Sequence, residues 1–146
     1  MRNTRVLVER AIDGLSDEQL LAIPSGSRNN ILWNLGHLIV TQQTLQYRLS
    51  GLPMLVSDEL VAQCAAGSSP ADWTTPPDLE ELRGYLHSLP DRFEEDYAAG
   101  KFTGFQGFTT KSTGFELPTI EALTDFVVFH DGLHLGVIQA YRKVLA

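Results

Sequence analysis

The chain has 146 residues, 43% of them hydrophobic and 20% charged, with a net charge of −7 and a pI near 4.9. That length suits one domain, 1–146, with a sizeable core. The acidity and the lack of a basic cluster argue against a nucleic-acid backbone or an anionic membrane surface as partner.

A first helix is expected from about Thr4 to Asp13, stopped by Gly14. Next, Ser16 and Gln19 have the spacing of a capping box, with Leu15 placed to staple onto Leu20; this short turn ends before Pro24. The second long helix is expected from about Ser27 to Ser50, closed by Gly51 and Pro53. Ile31, Leu35, Leu38, Leu45 and Leu49 repeat on it at helical spacing. His37 falls on a different stripe, with Asn30, Asn34, Thr41, Thr44 and Arg48. Such a polar strip can line a cleft or simply face water.

Val56 to Ala66 can carry a short helix, and Gly67-Ser68-Ser69-Pro70 signals a loop. Thr75-Pro76-Pro77-Asp78 reads as a cap with early prolines, opening a third long helix whose core stripe is Leu79, Leu82, Leu86, Leu89, Phe93 and Tyr97. Pro90 is expected to kink or split it. Between Gly100 and Pro118, four glycines alternate with Phe102, Phe105, Phe108 and Phe115, predicting a packed loop or short hairpin. The fourth long helix is expected from Thr119 to about Leu145, with Leu123, Val127, His130, His134, Val137, Tyr141 and Leu145 turned inward. Four amphipathic helices make the fold class all-α, a four-helix bundle with a short extra helix and a Gly/Phe-rich loop before the last long helix.

His130-Asp131-Gly132-Leu133-His134 is the most informative segment. Histidines four apart on a helix project from one face, so both imidazoles can reach one metal ion at about 2.1 Å. The plain alternative is two core histidines, each satisfied by a hydrogen bond; an unsatisfied one costs roughly 1–3 kcal/mol. A cation takes a lone pair from both rings, and their inward stripe favours that reading. By itself a histidine on a polar strip, such as His37, is more often just solvated, but the second and fourth long helices of a bundle can face one another, and His37 would then be the third donor; three imidazoles leave coordination positions open. Asn34 and Thr41 are placed to orient the His37 ring or to be solvated like any polar residue. His87 reads as a surface residue. Asp131 lies about 100° round the helix from His130, which argues against it as a ligand. Arg48 and Tyr141 are near enough to touch a substrate, with solvation or packing the simpler reading.

The one cysteine, Cys64, allows no internal disulfide and reads as a buried small apolar residue, in keeping with a cytoplasmic location. The N-terminus does not read as a signal peptide, and no run approaches the roughly 18 apolar residues of a membrane span. Phosphate-binding loops, nucleophile elbows and HExxH are absent from the sequence.

Ile31-Leu32-Trp33-Asn34-Leu35-Gly36-His37-Leu38 resembles the "W-x-L-G-H-L" motif of the DinB-like superfamily. Thr113 to Leu123 is similar to its approach to the last helix, and Phe129 to Ile138 to its "H-E-x-x-H-x-G-Q-I" motif. Asp13 to Leu20 also fits. The resemblance implies a four-helix bundle holding a divalent metal (zinc or nickel, or else iron) through His37, His130 and His134. Asp131 stands in place of the usual glutamate, and Val137 where glutamine is common; neither is an expected ligand. Some members are thiol-dependent transferases or isomerases using low-molecular-weight thiols, and relatives often form homodimers.

The leading functional reading is therefore a metal-dependent enzyme, of the thiol-dependent S-transferase type, acting on a small-molecule substrate. A metal-dependent hydrolase is its variant. A non-catalytic metal- or ligand-binding module is the alternative, and a bundle with vestigial histidines the third. The Phe102–Phe115 loop is expected to wall the pocket.

Overall fold

The computed structural model describes residues 1–145 and is mostly helical. Its long helices are α1 (Arg2–Ile12), α3 (Ile31–Gln42), α5 (Leu79–Ala98) and α6 (Ile120–Val144). Two short helices, α2 (Asp17–Leu21) and α4 (Asp58–Cys64), lie in the connections. The capping box at α2 is formed: the Gln19 amide donates to Ser16 Oγ at 3.2 Å, and Gln19 Oε1 accepts from the Ser16 amide at 3.0 Å.

Side-chain pairs fix the direction of each long helix. Arg2 meets Asp91 and Glu94 while Glu9 meets Arg83 and His87, so α1 and α5 are antiparallel. Arg5 pairs with Asp131, and Arg142 donates to the Ala11 carbonyl, so α1 and α6 are parallel. Asn34 meets His134 and Gln46 meets Thr124, so α3 and α6 are antiparallel. It follows that α3 and α5 are parallel, and residues 51–78 must run back along the bundle to join them. Helix α4 sits in that return and packs on α3.

Several boundaries differ from the sequence expectation. Helix α3 begins at Ile31, not Ser27, because Asn30 Oδ1 accepts from the Trp33 amide at 2.7 Å and so caps it. Beyond Gln42 the same helix continues as a π-helical turn, Gln43–Tyr47, and a 3-10 turn, Arg48–Ser50. It ends at Gly51, whose φ of +73° is the left-handed conformation glycine adopts at no steric cost. Helix α5 is capped by Asp78, whose side chain accepts from the Glu81 amide, so Pro76 and Pro77 precede the helix rather than open it. Pro90 does not split α5; the helix runs through it and forgoes the one hydrogen bond proline cannot donate.

The glycine- and phenylalanine-rich segment folds as a 3-10 turn, Lys101–Gly104, and a two-stranded antiparallel hairpin, β1 (Phe108–Thr109) against β2 (Glu116–Leu117). Phe102 and Leu117 enter an apolar cluster with Leu45, Tyr47, Phe93, Leu123 and Val127. A larger cluster holds Val8, Ile12, Ile31, Leu35, Leu38, Leu82, Leu86 and Ile138. No helix among the described residues is long and apolar enough to cross a membrane.

On α6 the fully buried line is Leu123, Val127, Asp131 and Ile138. It is turned by one residue from the expected stripe: Asp131 faces the core, and His130 and His134 sit half-buried at its edge. Asp131 can lie there because Arg5 Nε donates to its Oδ2 at 2.7 Å, with both side chains wholly out of solvent. Arg5 Nη2 also donates to the Leu38 carbonyl at 3.2 Å, so one guanidinium ties α1 to both α6 and α3.

Candidate metal centre

His37 comes from the middle of α3, and His130 and His134 from the middle of α6, where the two helices pack side by side. The ring centroids lie 5.2 Å (His37–His130), 4.9 Å (His37–His134) and 4.5 Å (His130–His134) apart. One donor atom from each ring lies within 4.8 Å of the other two. Some point is then within about 2.8 Å of all three (4.8 Å divided by √3), close to the 2.0–2.1 Å of a Zn–N bond.

His37 is not on an open strip; it is 7% exposed. Its Nδ1–H donates to the Cys64 carbonyl at 2.8 Å, an acceptor that α4 delivers, and Trp33 stacks on the ring at 4.5 Å and 10°. This leaves the Nε2 lone pair facing inward, where the Thr41 hydroxyl donates to it at 3.3 Å. Asn34 holds His134 rather than His37. Its Nδ2 donates to the Asn30 carbonyl at 2.7 Å, which turns its Oδ1 toward His134 Nδ1–H, also at 2.7 Å. Both rings are thus fixed in the tautomer with Nε2 unprotonated, the form in which imidazole binds metal. Nδ1 of His130 is buried with no hydrogen-bond partner among the described residues.

The electrostatics agree. Burial lowers the pKa of His37, with the Cys64 hydrogen bond opposing. Burial, then the neighbouring His134, His37 and Arg5, lowers His130 to about 3. Burial and then His37 lower His134 to about 4. All three shifts favour the neutral imidazole, the form that binds a cation. The unfolded chain takes up these protons near pH 6.5, the folded metal-free chain only well below it. Between those limits the unfolded state binds more protons, so stability is present above about pH 6.5 and is lost as pH falls. The urea midpoint of metal-free protein should therefore drop steadily from pH 6.5 to 4, and less steeply in His130→Leu. An unchanged midpoint across that range would contradict a buried neutral triad.

The remaining candidates fall elsewhere. His87 is at the surface, 2.9 Å from Glu9. Arg48 is exposed, and Tyr141 packs against the larger core cluster. Phe102 lies with Tyr47 and Phe93 in the smaller core cluster, and Phe105 and Phe108 pack against it, while Phe115, toward the far end of the aromatic loop, meets Phe129 next to His130. Two partners were not foreseen: the Cys64 carbonyl, which no side-chain pattern announces, and Arg5. For Arg5 a signal existed, since Arg5, Val8 and Ile12 share one face of α1.

Four long helices around a histidine triad shared by two of them define a helical-bundle protein with a site suited to a metal ion. The chain belongs to the DinB superfamily, whose family model matches residues 1–138. A comparison with curated proteins finds no match.

Proposed function

We propose that His37, His130 and His134 hold one divalent cation, and that the protein is a metal-dependent enzyme acting on a small molecule through a thiol. The observation that carries this reading is the convergence of three imidazoles, two of them held by hydrogen bonds at Nδ1 with Nε2 unprotonated. Three imidazoles suit zinc, nickel and iron alike. A cation so held supplies Lewis acidity, which lowers the pKa of a thiol and makes it a nucleophile at neutral pH.

The chain's own groups fit that division of labour. Trp33, the Cys64 carbonyl and Asn34 orient the rings. His130 and His134 are half-buried, so a ligand can approach from their side. Burial pushes the Cys64 thiol up to about 12, so the thiol comes from the ligand and not from the chain. Asp131 is committed to Arg5 and takes no part as a base.

Elemental analysis of protein made without an affinity tag tests the reading. About one equivalent of zinc, nickel or iron per chain is expected. His134→Ala should lose it, together with any turnover in a screen of thiol acceptors. Metal-free native protein, or full turnover in the variant, would reject it.

A further inference from the structure

Beside the triad lies a set of aromatic rings that the core does not explain. Phe115, from the hairpin, and Phe126 and Phe129, from α6, touch one another at centroid distances of 6.3, 6.2 and 5.9 Å. Phe115 is 50% exposed and Phe129 45% exposed. Phe126 is partly buried against the smaller core cluster, so it anchors the set. Its ring lies 6.3 Å from His130, tilted by 34°, which makes the aromatic surface continuous with the candidate metal ligands.

The local structure keeps these rings outside. The hairpin turns through Gly114 at φ +71°, with the Thr110 amide donating to the Phe115 carbonyl and the Phe115 amide to Thr110 Oγ1. Leu117, two residues on, points into the core at 6% exposure, while Phe115 stays in solvent. On α6, Val127 takes the core position, leaving Phe126 and Phe129 on the flank. Phe115 meets Phe126 edge to face at 90°, and Phe129 is tilted to them by 51° and 44°, so the three rings present an apolar surface with both ring faces and ring edges, the two geometries in which another aromatic ring packs.

We propose that Phe115, Phe126 and Phe129 form a specificity wall, and that the ligand reaching the histidine triad carries an apolar, aromatic-sized group that packs on it. This rests on the triad being a metal site. The heteroatom of the ligand meets the cation, and the hydrocarbon body lies against the phenyl rings. Both halves are then desolvated by one surface.

Cobalt(II)-loaded protein titrated with benzyl mercaptan and with 2-mercaptoethanol tests this, read by the thiolate-to-cobalt absorption band. Benzyl mercaptan should bind roughly tenfold tighter or more, from the extra apolar area buried. Phe115→Ser and Phe129→Gln, both at half-exposed positions, should erase that preference and leave cobalt affinity and mercaptoethanol binding unchanged. Equal affinity for the two thiols, or a preference that survives both variants, would overturn the wall. So would variants that turn a dimeric wild type into monomers while the preference persists, because the patch would then belong to a second copy of the chain. A wild type that takes up no cobalt defeats the metal reading instead. The metal-free chain then decides the wall: benzyl alcohol must shift the ring NMR signals of Phe115 and Phe129, and silent rings overturn it.

Discussion

Arg5→Met should destabilise the protein by about 3–5 kcal/mol, because it strands a buried carboxylate. Arg5 and Asp131 are both wholly inaccessible to solvent and 2.7 Å apart. Burial raises the Asp131 pKa, while the charge and hydrogen bond of Arg5 lower it. Without Arg5 the carboxylate can relieve itself by taking up a proton, which places this variant at the lower end of that range. Asp131→Leu is the harsher change, since the guanidinium it leaves behind has no neutral form to retreat to. Removing both charges, as Arg5→Met with Asp131→Leu, should restore most of the stability, because an apolar pair of similar volume carries no desolvation cost. Urea unfolding of the four proteins closes the cycle. Single variants within about 1 kcal/mol of the wild type, or a double variant as weak as the sum of the singles, would show that the pair does not bear on stability in this way. The same contacts touch the site. Arg5 holds Asp131, next to His130, and the carbonyl of Leu38, next to His37. The double variant, though stable, should therefore bind metal more weakly than the wild type.

The contrast between Arg5 and His130 shows what the sequence carried and what it did not. Local chemistry was legible. Ser16 with Gln19 gave the α2 cap, and the apolar spacing gave four long helices. The four-residue interval of His130 and His134 placed them on one face, toward His37. Features set by long-range packing were left open or not legible. His37 shares a stripe with Thr41, Thr44 and Arg48, which reads as polar, yet it is buried because α4 returns from far along the chain to lie on it. Its angle round the helix argues against Asp131 as a ligand, and in the structure its carboxylate is paired with Arg5. Its place in the core was missed, though it stands four residues after Val127 and seven before Ile138 on one line. A charge on such a line demands a buried counter-charge, and only the parallel packing of α1 and α6 supplies it. The start of α3 at Asn30 rather than Ser27 was open to either residue, since both types cap helices well. The deciding contact, Asn30 Nδ2 to the Leu21 carbonyl at 3.0 Å, is again tertiary.

Gly36→Ala should loosen the metal centre without touching a histidine. A β-carbon at Gly36 would lie 2.4 Å from Cys64 Sγ and 3.1 Å from Cys64 Cβ, and Cys64 is completely buried, so its thiol has nowhere to turn. Helix α4 must then back away from α3. Overpacking of this kind costs about 1–3 kcal/mol, against which alanine recovers roughly 0.5–1 kcal/mol of helix propensity. The net loss of stability is modest, and the larger effect falls on His37. As α4 recedes, so does the Cys64 carbonyl that accepts from Nδ1–H, and the ring loses the bond that fixes its tautomer. Loss of such an outer partner typically lowers metal affinity about 10–100-fold. Adding Cys64→Ala removes the sulfur and the worst of the clash while keeping the backbone carbonyl. The double variant should therefore regain most of the affinity, measured by competition with a chromogenic chelator. Wild-type affinity in Gly36→Ala, or no recovery in the double variant, would show that the close approach of α4 to α3 is not what positions His37.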